Sequence, residues 1–225
     1  MKVWKHYAFW LLLSATLGAS SAVGQIVDRM VANVNGHVLL QSDWEEELAF
    51  EAFLDARSAD SFSSEERKAA LDRLIDQELL REEVRPSEET PADQIAARVT
   101  EVRKLHPEAA TDDGWRGALQ RYGLTQTDLE TRLGQSIQLM RLVEARLRPS
   151  IQIDQKAVES YYQEQLLPEL KKAGSREVAL PEVFGRIRDL LAEQRLNQLL
   201  HGWLASLRSA SRIQTPASSA GDQPR

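Results

Sequence analysis

The stretch Ile26-Val-Asp-Arg-Met-Val-Ala-Asn-Val-Asn-Gly-His-Val-Leu-Leu-Gln-Ser-Asp-Trp-Glu45 decides the fold. Two β-favouring runs flank Asn35-Gly36, the pair that best tolerates the positive φ angles of a two-residue type I′ turn. A hairpin over Ile26–Leu40 is therefore expected. Ser42 is expected to cap the helix that follows, with Glu45 reaching back as its capping-box partner.

Upstream, Lys2 and Lys5 form a basic region, and Tyr7 to Leu17 an apolar run too short to span a bilayer. Small residues follow in Gly18-Ala-Ser-Ser-Ala-Val-Gly24. Residues 1–24 are expected to be a signal peptide, cleaved after Gly24 or Ala22, which leaves an exported chain with no stable membrane insertion. No cysteine occurs, so lipoprotein processing is excluded and stability rests on burial rather than disulfides. Cleavage would remove two lysines and no acid, taking the formal charge from −6 to −8. Such a balance is poorly suited to nucleic acid, whose phosphates call for positive patches, and better matched to basic or neutral polypeptides.

Beyond the hairpin the pattern is helical almost throughout. The first helix is expected over Asp43–Ala59. Ser63 and Glu66 form a capping box for a helix to about Arg85, with Leu71, Leu74, Ile75, Leu79 and Leu80 as its inward stripe. Thr90-Pro91 reads as an N-cap followed by proline at the first helical position. A short helix over Asp112–Tyr122 closes on Gly123 at the C′ place. Thr125 and Asp128 open the next helix, to about Arg148, with Leu129, Leu133, Ile137, Met140 and Val143 or Leu147 inward. Gly134 inside it suggests a close contact. Ile151–Ile153 is a short strand candidate. Asp154 caps a helix to about Ala173, and Pro181 begins a final one to about Ser209, whose broad apolar face includes Val183, Ile187, Leu190, Leu191 and Trp203. Gly202 points to a neighbouring backbone. Ser211–Thr215 is a last strand, and residues 216–225 read as a disordered tail on composition.

Enzyme chemistry finds little support. No two of the four histidines, His6, His37, His106 and His201, stand three or four residues apart, so the usual zinc spacing is absent. His37 reads as a cross-strand surface residue. There is no phosphate loop and no Gly-x-Ser-x-Gly elbow. Glu45-Glu46-Glu47, Glu82-Glu83 and Glu88-Glu89 read as solvated faces, and Arg141, Arg146 and Arg148 as favourable partners of a helix C-terminus. No catalytic residue, metal ligand or cofactor is assigned.

The aromatic residues offer two readings. Phe50 and Phe53 lie with Leu54 on the first helix, and Trp115 and Tyr122, seven residues apart, share one face of a short helix. They are either ordinary core or part of an apolar groove for unfolded polypeptide, and Phe50, Phe53, Leu54, Trp115 and Tyr122 are the candidate peptide-binding set.

Three stretches carry a family resemblance. The hairpin and helix start Ile26–Glu45, the helix Arg67-Lys-Ala-Ala-Leu-Asp-Arg-Leu-Ile-Asp-Gln-Glu-Leu-Leu80, and the tail from Val183-Phe-Gly-Arg-Ile-Arg-Asp-Leu-Leu191 through Ser211-Arg-Ile213 resemble SurA-type periplasmic chaperones. The resemblance implies that N-terminal (25–150) and C-terminal (154–215) pieces pack as one module over 25–215. That module would be mainly α, with a small antiparallel hairpin sheet closed by the C-terminal strand, related in shape to the peptide-binding part of trigger factor. It implies an ATP-independent holder of unfolded exported or outer-membrane proteins in the periplasm. Family members commonly carry parvulin-type prolyl isomerase domains after the equivalent of Tyr161-Tyr162. Here about twenty residues separate Tyr162 from Pro181, too few for a domain that rarely folds below ~40 residues. The isomerase activity implied by family membership is therefore not carried over to any residue. An isomerase, or a scaffold for one folded envelope partner, is the alternative.

Overall fold

The computed structural model describes residues 28–84 and 89–216, so the expected signal segment and most of the expected tail lie outside it. Strand β1 (Met30–Val34) and strand β2 (His37–Leu40) form the hairpin. Asn35 and Gly36 both have positive φ, 53° and 101°, as a type I′ turn requires. Strand β3 (Ile213–Gln214) pairs antiparallel with the other edge of β1, so the open sheet has the order β2-β1-β3. The C-terminal strand completes this sheet without closing it.

Helix α1 (Gln41–Leu54) starts earlier than expected, directly from β2. Leu40 is its N-cap residue, and the Asp43 carboxylate accepts the Leu40 N–H at 2.8 Å. Ser42 instead donates its hydroxyl to Asp28. Helix α2 (Ser64–Glu82) has the expected box in full: Ser63 Oγ accepts the Glu66 N–H and Glu66 accepts the Ser63 N–H, at 3.2 and 2.7 Å. Helix α3 (Ala92–Lys104) has Pro91 at its N-cap position with no side-chain cap, whereas Thr90 turns its hydroxyl to the Gly134 carbonyl at 2.8 Å.

Helix α4 (Asp112–Arg121) ends on Gly123, φ +68°, and helix α5 (Gln126–Leu147) opens with the Thr125–Asp128 box. Gly134 lets α3 approach α5: a Cβ there would lie 3.2 Å from Ile95 Cδ1. The strand expected at Ile151–Ile153 does not form, since no strand lies beside it to pair with. Asp154 caps helix α6 (Gln155–Tyr161), which runs through a wide π turn at Tyr162–Leu166 into helix α7 (Leu167–Lys172). Pro168 accounts for the wide turn, because it has no N–H for the Glu164 carbonyl and its ring would collide with it.

Helix α8 (Leu180–Ala210) is about 46 Å long at the standard rise and ties the molecule together. Its first turns, Val183 and Ile187, pack with Val158 and Tyr162. Leu196 and its neighbours pack with Leu80 of α2 and Val143 and Leu147 of α5. Leu207 then meets the core of the sheet, where Val31, Val34 and Leu39 lie on Leu74, Ile75 and Leu79 of α2. The expected packing of the last helix among the N-terminal helices is thus present. Two residues expected inward face solvent instead, Met140 at 59% and Leu190 at 42% exposure. Nothing approaches Gly202 within 4 Å of an added Cβ, so the close backbone expected there is absent.

Candidate peptide-binding site

The five residues singled out in the sequence come together, from α1 and α4 and the end of α4, in one cluster with Val102, Leu119, Leu129 and Leu133. Phe53 is its centre. Its ring stacks on His106 at 4.3 Å between centroids and meets Trp115 at 5.7 Å and Tyr122 at 5.4 Å. Their polar atoms are satisfied inside the lobe. Trp115 Nε1 donates to Gln126 at 2.7 Å, Tyr122 donates its hydroxyl to the Arg57 carbonyl at 2.9 Å, and His106 Nε2 lies 2.9 Å from the Phe53 carbonyl.

Phe50, Phe53 and Trp115 are buried, and Leu54 and Tyr122 are partly buried against them. In this conformation the set is the core of the N-terminal lobe rather than an open groove, because α3, α4 and α5 cover the face of α1 that carries it. Tyr122 also reaches a concave surface.

That surface is a groove of about 400 Å³ between β2, α1, α2 and the α4–α5 connection. Leu39, Leu74 and Leu124, all buried, form its apolar floor. Its charged rim comprises Asp43 and Glu46 of α1, Arg81 of α2, and Asp128 and Arg132 of α5. Two more carboxylates sit behind it. Glu78, 5% exposed, has Arg81 at 3.0 Å and His37 at 3.7 Å. Glu47, equally buried, pairs with Arg132 at 3.2 Å and accepts from Gln77 at 3.0 Å, while Arg132 also holds Glu46 at 2.7 Å. Hydrogen bonds from Thr125 hold the Asp128 carboxyl below its ordinary range, so it stays ionised.

The reading of Glu45–Glu47 as wholly solvated is corrected by this arrangement: Glu47 is buried and held by Arg132 from a helix 85 residues away in sequence. The arginines at the C-terminal end of α5 also do more than face a helix end. Arg148 pairs with Glu144 and with Glu193 of α8, and Arg146 lies over the Trp203 ring at 4.6 Å. Sequence periodicity could find the apolar floor on α2 but not the groove itself, because it is assembled from segments far apart in the chain.

Among the described residues no group of three or more His, Asp or Glu is placed to hold a metal ion. No helix among them is long and apolar enough to cross a membrane. No curated protein matches the chain. A family model described as the SurA-like N-terminal domain matches residues 3–143, well over half of the chain, and takes in the hairpin, α1 to α4, and most of α5, all the elements that build the groove. The protein belongs to the family of SurA-like N-terminal domains.

Proposed function

We propose that this protein is an ATP-independent chaperone of the periplasm, exported through a cleaved signal at residues 1–24, that holds unfolded exported or outer-membrane proteins. Family membership carries the reading. It is supported by the way the C-terminal segment joins the matched domain, with β3 on β1 and α8 across α2 and α5, which is the packing a single module would need. Holding is passive: an extended chain exchanges its exposed apolar groups for the module's surface, and acidic charge keeps the complex dispersed.

The reading gives the protein no catalytic step. Prolyl isomerase activity, which the family name would suggest, is expected to be absent. Purified protein should leave the cis/trans exchange of a proline tetrapeptide at its uncatalysed rate, tens to hundreds of seconds. The test of the chaperone reading is dilution of a urea-unfolded outer-membrane protein into buffer with the protein and without nucleotide. Light scattering should fall in proportion to the amount of protein added. Scattering equal to that with an inert protein of similar charge would contradict it, and tight binding of a single folded partner with no effect on scattering would favour a scaffold.

A further inference from the structure

Strand β2 has one bonded edge and one open edge, since it stands at the end of the sheet. Val34 and His37 flank the type I′ turn as a hydrogen-bonded pair, so the next pair, Asn33 with Val38, is a non-hydrogen-bonded one. The Val38 N–H and C=O therefore point away from β1, and among the described residues nothing bonds them. The Val38 side chain is 42% exposed. The next outward N–H, of Leu40, is already taken by Asp43. Val38 lies between His37 and Leu39, both of which line the groove described above.

The charge of the groove selects what fits. Around and directly behind it stand the carboxylates of Asp43, Glu46, Glu47, Glu78 and Asp128 against the guanidiniums of Arg81 and Arg132. That excess of carboxylates favours a cationic side chain and disfavours an acidic one. We propose that an extended, lysine- or arginine-bearing segment of an unfolded polypeptide docks on the open edge of β2. It would form backbone hydrogen bonds with Val38, rest apolar side chains on Leu39, Leu74 and Leu124, and turn a basic side chain toward Asp43, Glu46 and Asp128. The inference rests on the chaperone reading and names the class of segment it takes.

The probe is a short dye-labelled peptide in which valine alternates with lysine, followed by fluorescence anisotropy against the full chain. The same peptide with glutamate for lysine should bind at least about tenfold more weakly, the loss of roughly one favourable charge contact. Val38→Pro removes the outward N–H while leaving the hairpin bonds, a position where an edge strand accepts proline. It should weaken the lysine peptide about tenfold, the scale of one or two backbone hydrogen bonds. If that variant does not fold, by circular dichroism, peptides N-methylated along one edge or the other decide on unaltered protein. Methylation of one edge alone should abolish binding. Equal affinity for both methylated peptides and the parent, or for the lysine and glutamate peptides, would overturn the proposal. Suppression of scattering by wild-type protein, measured alongside, separates failure of this site from failure of the chaperone reading.

Discussion

Asn35 does two jobs with one side chain. It holds a positive φ in the turn, and it clamps the two ends of the fold: Nδ2 donates to Glu82 at 2.7 Å and to Ser211 at 3.2 Å, while Oδ1 accepts the Arg212 N–H at 2.8 Å. The turn role is legible in the Asn-Gly pair. The clamp is not, because its partners are 47 and more than 170 residues away. Asn35→Gly keeps the backbone angle and loses the clamp, so urea denaturation should show a loss of about 1–2 kcal/mol. Asn35→Ala adds the cost of a positive φ and should lose about 1 kcal/mol more. Equal stability of the two variants would mean that the turn geometry is not under that demand. Glu66 makes the second residue-scale prediction. The Ser63 N–H, the Arg57 guanidinium and the Ser63 hydroxyl lower its pKa from 4.5 to about 2. A depressed carboxylate pKa contributes stability above the unfolded value, which is lost as pH falls through the folded one. The stability difference between wild type and Glu66→Gln should thus be constant above about pH 5 and shrink between pH 4.5 and about 2. A difference that persists undiminished at the acid end would remove the capping role of the charge.

At the scale of elements, what could be read in advance was what short-range chemistry dictates. The capping boxes of α2 and α5, the glycine stops and the small contact at Gly134 are each encoded within a few residues or one helix face. The π turn was obscured because Pro168 sits inside a stretch whose flanks are good helix formers. The fate of the aromatics was undecided for a different reason. Periodicity says that Phe50, Phe53, Trp115 and Tyr122 share faces, but only the placement of α3 and α5 says whether those faces are covered. Since they are, Phe53→Ala and Trp115→Ala should each destabilise by about 3–5 kcal/mol in thermal or denaturant melts. Tyr122→Phe should cost about 1 kcal/mol, through the hydrogen bond to the Arg57 carbonyl, and leave the packing intact. Melting temperatures unchanged by both alanine variants would place the aromatics outside the core.

For the whole molecule, the decisive feature is the return of the chain to its start. α8 crosses the inner faces of α2 and α5, Arg208 donates to Asp76 at 2.6 Å and to the Asp72 carbonyl at 2.8 Å, and β3 then lies down on β1. The hairpin, marginal by itself, is thereby buttressed by the helical core beneath it and by β3 along one edge, while its other edge is left beside the groove. That asymmetry leaves unpaired the one edge of the sheet on which the proposed docking of an extended chain would take place. The most direct test of the central claim is equilibrium binding of a dye-labelled, unfolded outer-membrane protein, followed by anisotropy without nucleotide. The expected result is saturable binding that ATP does not alter and that the same protein, once folded, does not show. Anisotropy that stays at its starting value throughout the titration, or binding of the folded form alone, would contradict the account.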